Sequence, residues 1–64
     1  MGRIIVWRRK IKYGVQTISY NEDGSGLYLL RSKDGAIRTR VEIPVHKMSD
    51  WLKSAARVSN GQPR

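Results

Sequence analysis

From Ala36 to Ile43 the chain alternates without a break: Ile37, Thr39, Val41 and Ile43 fall on one side, Arg38, Arg40 and Glu42 on the other. Successive side chains of a strand point to opposite faces, so this stretch reads as a strand with one apolar face and one mostly basic face. Three more β-prone runs precede it, Arg3 to Lys12, Val15 to Tyr20 and Leu27 to Lys33. Turn signals separate them at Tyr13-Gly14, across Asn21-Glu22-Asp23-Gly24-Ser25-Gly26, and at Asp34-Gly35. After Pro44 the period changes. Met48, Trp51, Leu52, Ala55 and Val58 recur at helical spacing, with Lys47, Asp50, Lys53, Ser54 and Arg57 on the other side. Pro44 ends the strand and suits a helix start, and Asn60-Gly61 is a natural stop. The expectation is an α+β fold: a four-stranded antiparallel meander (ββββα) with one C-terminal helix packed on one sheet face. Residues 1 to 61 form the domain and 62 to 64 a flexible tail.

The turns predict how the strands pair. A two-residue loop at Asp34-Gly35 sets Arg31 opposite Arg38, Leu30 opposite Thr39 and Tyr28 opposite Val41. Between the second and third strands an odd loop over Glu22 to Gly26 pairs Tyr20 with Tyr28 and Ile18 with Leu30. An even loop would turn every apolar side chain of one strand to the wrong face. A turn at Tyr13-Gly14 sets Lys10 opposite Thr17, Arg9 opposite Ile18 and Trp7 opposite Tyr20. These pairings put Ile5, Trp7, Ile11, Ile18, Tyr20, Tyr28, Leu30, Ile37, Val41 and Ile43 on one face. The other face takes Arg8, Lys10, Lys12, Arg31, Lys33, Arg38 and Arg40, with Thr17 and Ser19 between them. Arg9 on the apolar side, and Val15, Leu27 and Leu29 on the basic side, are the exceptions.

Charge turns that second face into a candidate site. Thirteen Lys and Arg against five Asp and Glu give the 64-residue chain a formal charge of +8. Such repulsion burdens a small domain unless a polyanion neutralises it, and cations gathered on one surface point to nucleic acid. Arg31, Arg38 and Arg40 lead the candidates, because a guanidinium grips phosphate or guanine with two donors. Arg8, Lys10, Lys12 and Lys33 add charge, and Thr17 and Ser19 could give hydroxyl bonds to phosphate oxygens. Trp7, Tyr20, Tyr28 and Trp51 fall on the core side, leaving Tyr13 alone to stack, which favours duplex or backbone recognition over a single-strand platform.

Other chemistry is thinly represented. The chain has no cysteine and one histidine, so no metal site, disulfide or cofactor is expected, and an intracellular location (cytoplasm, nucleoid or nucleus) is the simpler expectation. The longest uncharged apolar run, Ile4 to Trp7, is far short of the roughly 20 residues that span a bilayer, and Arg8 and Arg9 interrupt any signal-peptide pattern. Asp23 and Asp34 are turn formers, and no nucleophile stands with a base, so an enzyme is not expected.

The run Val41-Glu42-Ile43-Pro44-Val45-His46-Lys47-Met48-Ser49-Asp50-Trp51-Leu52-Lys53 resembles the end of single-stranded-DNA-binding transcriptional coactivators of the positive-cofactor-four type. There, a strand passes into a helix bearing a tryptophan after a curved antiparallel sheet. Whirly and Pur modules are similar in their ββββα unit. The resemblance implies nucleic-acid binding through the sheet, dimerisation and a role in transcription or replication. The sheet-plus-helix domains of plant GCC-box binders and of recombinase arm-binding domains, which lay a sheet into the major groove, are similar at the level of layout. So are small archaeal chromatin proteins in size and charge.

The expected function is therefore a small non-enzymatic DNA-binding protein using the basic sheet face, serving transcription, recombination or replication. DNA in duplex or single-stranded form is the expected partner. RNA stays open, as does a protein–protein module, such as a small viral inhibitor, whose basic face meets an acidic protein. A homodimer suits so small a core, since Leu27 and Leu29 are otherwise exposed.

Overall fold

The computed structural model describes residues 3–60, with side chains to Val58. Four strands, β1 (Ile4–Ile11), β2 (Gly14–Tyr20), β3 (Gly26–Ser32) and β4 (Ile37–Ile43), precede one helix, α1 (Val45–Asn60). The sheet is an antiparallel meander in the order β1-β2-β3-β4. The helix stop expected at Gly61 and the tail expected over 62–64 lie outside the described residues.

Hydrophobic burial fixes the helix on one face of the sheet. Ile18 and Ile43 are almost wholly buried, beneath Met48 and Ala55 of α1, and Trp7, Tyr28, Trp51 and Leu52 pack around them. The Tyr28 and Trp51 rings tilt at 38° with centroids 5.4 Å apart, an arrangement aromatic pairs favour. Tyr28 keeps its polar end satisfied, accepting a hydrogen bond from Gln16 Nε2 at 2.8 Å. The helix begins directly after β4, where the Pro44 carbonyl accepts from the Lys47 N–H at 2.9 Å. No helix among the described residues is long and apolar enough to cross a membrane.

Two of the three hairpins close with the same device. In Asn21–Ser25 the Asn21 N–H donates to the Ser25 carbonyl at 2.8 Å, and in Ser32–Ala36 the Ser32 N–H donates to the Ala36 carbonyl at 2.8 Å. Each is a three-residue loop whose last residue is glycine, Gly24 at φ 93° and Gly35 at φ 95°. That is the left-handed position this loop type requires. An aspartate braces each: Asp23 Oδ1 accepts from the Ser25 N–H at 2.9 Å and from its hydroxyl at 2.6 Å. Asp34 Oδ1 accepts from the Ala36 N–H at 3.1 Å and from the Ser32 hydroxyl. These bonds favour the ionised form and hold both carboxyls below the usual aspartate value, with the serine hydroxyl as the largest cause in each case.

These loops correct the expected pairings. The β3–β4 loop has three residues instead of two, and a bulge between Leu30 and Arg31 absorbs the extra one. Leu30 still meets Thr39 and Tyr28 still meets Val41, but Arg31 faces Ile37 instead of Arg38. The β2–β3 loop is odd, as expected, yet two residues shorter, so Ile18 meets Tyr28 and Gln16 meets Leu30. The β1–β2 turn falls on Lys12-Tyr13, and Trp7 meets Ile18. Each slip of two residues preserves the faces. The two bulges do not: one between Ile5 and Trp7 sets Ile5 opposite Ser19, and the other sets Ile37 opposite Arg31. Both isoleucines thus leave the core face where alternation had put them.

Candidate nucleic-acid interface

Directly paired residues share a face, so the pairings give the helix-free face row by row. Arg8, Thr17, Leu29 and Arg40 form one row across all four strands. Lys10, Val15, Arg31 and Ile37 form the next, and Ile5, Ser19, Leu27 and Glu42 the row on the other side. The inner strands β2 and β3 are mainly neutral on this face. Its cations stand on the outer strands, Arg8 and Lys10 on β1 and Arg40 on β4, with Arg31 the exception on β3. With neighbouring strands about 4.8 Å apart, the backbones carrying Arg8 and Arg40 are about 14 Å apart. A shallow groove of about 320 Å³ runs over the middle, lined by Ile5, Arg8, Val15, Thr17, Leu29 and Arg31.

The candidate residues fall into three groups. Arg8, Lys10, Arg31 and Arg40 are exposed and share the face. Lys12 and Lys33 stand in the β1–β2 and β3–β4 turns, which a meander brings to the same end of the sheet, and Arg38 stands exposed at the bulge. The Lys12 ammonium lies 5.9 Å from the Tyr13 ring centroid, so the exposed aromatic of that end is joined to a cation. Thr17 is half-buried in the central row. Ser19 is only 5% exposed and its hydroxyl donates to the Leu27 carbonyl at 3.4 Å, so it belongs to the floor.

Two of the arginines have protein partners. Arg31 Nη1 donates to the Gly35 carbonyl at 2.8 Å, holding its guanidinium toward the turn. Arg40 Nη1 lies 3.2 Å from Glu42 Oε2. Both members of that pair are largely exposed, and such pairs contribute about 0–1 kcal/mol, so a phosphate can take the place of Glu42.

The expectation that Leu27 and Leu29 stand exposed needs correction: Leu27 is 4% exposed and Leu29 half-buried. Leu27 shares a cleft of about 380 Å³ with Arg3, Arg40 and Glu42, among others. Arg3 was not among the residues read as candidates from the sequence. Its Nε donates to Asn21 Oδ1 at 3.2 Å, which adds a cation at the Glu42 end of the face. Ile5 was misassigned because Ile4-Ile5-Val6 is uniformly apolar, and such a run gives no phase. The large aromatics Trp7, Tyr28 and Trp51 all lie on the helix side. Among the described residues no group of three His, Cys, Asp or Glu is placed to hold a metal ion.

No family model matches the chain, and none of the curated proteins or solved structures compared with it does either.

Proposed function

We infer that the chain is a non-enzymatic DNA-binding protein that lays its helix-free sheet face onto duplex DNA, as an accessory factor in transcription, recombination or replication. The row Arg8–Thr17–Leu29–Arg40 carries the reading. The B-DNA major groove is about 12 Å wide, close to the span of about 14 Å between the outer strands. Cations on β1 and β4 then meet phosphates on the two sides of the groove, while Val15, Thr17, Leu29 and Arg31 of β2 and β3 lie over its middle. Of the residues over the middle, Arg31 is the one long enough to reach a base edge, turning from Gly35 toward guanine. With the large aromatics turned to the helix, the face lacks the stacking platform that single strands use.

The test is binding of the chain to labelled duplex and single-stranded DNA of one sequence, each at several salt concentrations. The expected result is tighter duplex binding, with a log–log salt slope of about −4 for four to five phosphate contacts. Preference for the single strand, or indifference to both forms, would overturn the duplex reading. A second reading rests on the groove over Leu29 and Val15, whose apolar floor and arginine rim would also receive an acidic protein segment. Capture of one acidic partner together with indifference to DNA and RNA would establish it.

A further inference from the structure

The strands at the two edges of the sheet are unlike. An edge strand presents unpaired backbone N–H and C=O groups, and proteins that stay monomeric blunt such edges with charge, bulges or cover. Both edge strands carry a bulge, β1 after Ile5 and β4 near Ile37, so charge is what separates them. Arg38, Arg40 and Glu42 are exposed along β4, whereas Ile4 to Trp7 of β1 carries no charge. Ile4 is 62%, Ile5 60% and Val6 46% exposed, three consecutive β-branched residues on an outer strand. They serve both faces, Ile4 paired with Tyr20 on the helix side and Ile5 with Ser19 on the open side. Tyr20 is itself exposed and widens the patch.

We propose that this edge is a self-association surface, where two copies pair through Ile4–Val6 of their β1 strands, antiparallel about a two-fold axis at Ile5. Charge distribution within the strand selects this occupant and this orientation. The apolar half, Ile4 to Trp7, is followed by Arg8, Arg9 and Lys10. Parallel pairing would align each of these cations with its own copy, which destabilises a sheet. Pairing β1 with the β4 edge of another copy would set three apolar residues against Arg38, Arg40 and Glu42. Antiparallel pairing centred on Ile5 sets the apolar halves against each other and leaves the cationic halves at opposite ends. The interface is isologous and closes at two copies.

The two-fold axis runs perpendicular to the sheet, so both helix-free faces look the same way. An eight-stranded sheet results, with the two Arg8 positions about 20 Å apart along the strands at 3.4 Å per residue. This joined face matters for the nucleic-acid reading, but the pairing itself does not rest on it.

The test uses the full chain without nucleic acid. Sedimentation equilibrium from low micromolar to near-millimolar concentration should give a reversible monomer–dimer equilibrium. Ile5→Lys should weaken it at least tenfold, whereas Ile37→Lys, at a comparably exposed isoleucine beside the other edge, should leave it unchanged. Because the chain has no cysteine, Ile5→Cys provides a second measurement that does not depend on how the lysine variant folds. Across an antiparallel pair the Cα atoms are about 4.5–5.5 Å apart, within the disulfide range, so mild oxidation should give a covalent dimer that Ile37→Cys does not. A strictly monomeric chain, assembly beyond two copies, or equal cross-linking through both cysteines would overturn the proposal. The Arg8→Ala/Arg40→Ala variant should still dimerise, so loss of DNA binding there separates failure of one reading from failure of the other.

Discussion

Replacing Arg8 and Arg40 together with alanine is the sharpest probe of the candidate face. The two residues end a single row on opposite edge strands, so on the proposed reading the variant removes one phosphate contact on each side of the groove. Each contact contributes about 0.9 to the log–log salt slope, and losing both should make the slope shallower by about 1.8. Over a fourfold rise in salt, the affinity gap between the parent chain and the variant should then close about tenfold. Stability should change little, because both side chains are exposed and the Arg40–Glu42 pair is a surface pair of about 0–1 kcal/mol. The matched control is Lys53→Ala/Arg57→Ala, which removes the same charge from exposed helix positions. Fluorescence anisotropy of a labelled duplex across a salt series gives all three slopes, with thermal unfolding by circular dichroism confirming the fold. The helix variant should keep the parent slope. If both variants lose slope equally, binding follows net charge and the face assignment is wrong.

Two further outcomes follow from the same geometry. Glu42→Gln removes the anion that holds Arg40 at 3.2 Å, so duplex binding should tighten on the order of severalfold at low salt, the scale of an exposed pair, and converge with the parent at high salt. Unchanged binding would place Glu42 outside the interface, and weaker binding would mean that the carboxylate positions Arg40 for it. The braced aspartates predict a pH dependence: a carboxyl whose value is lowered on folding stabilises fully above its unfolded value, and that contribution is lost as pH falls through the folded one. For Asp23 and Asp34 the loss begins below about pH 4. Asp23→Asn/Asp34→Asn should therefore show a flatter decline in urea-unfolding stability from pH 5 downward, and parallel curves for parent and variant would refute the role of the ionised carboxylates.

The element order and the helix were readable because their patterns are long and periodic. Met48, Trp51, Leu52 and Ala55 pack at or around the core as their spacing predicts, and the alternation of β4 holds from Thr39 to Ile43. What failed was local. Asp34-Gly35 suits a two-residue hairpin as well as the last two positions of a three-residue loop, and the choice depends on hydrogen bonds from Ala36 and Ser32 to Asp34. Between β2 and β3 the expected loop over Glu22 to Gly26 is two residues too long, which shifts the pairing by two residues but keeps the faces, because parity survives. A bulge flips parity, and neither Ile5 nor Ile37 carries a sign of it in its own identity. The face that could bind was thus legible in its cations and less so in its apolar members.

The position of the charges also bears on how a sheet this basic holds together without a ligand. Salt screens interactions beyond about 8–10 Å at ordinary ionic strength, so Arg8 and Arg40, about 14 Å apart across the sheet, scarcely repel each other in solution. Had the bulge not intervened, Arg31 and Arg38 would have stood directly opposed, within one strand spacing; instead Arg31 faces Ile37 and donates to Gly35. Moving cations to the outer strands keeps repulsion low in the free protein, and the proposed reading matches the same spacing to the major-groove width of about 12 Å. Removing the bulge would sharpen the test of this link: deleting Arg38 from β4 restores a simple ladder but also takes away a cation, whereas Ile37 deletion restores it and sets Arg38 against Arg31. The second chain should be the less stable in low salt and should recover more than the first as salt is raised. A stability difference independent of salt would mean that the bulge serves packing, and that the spacing of cations on this face has another origin.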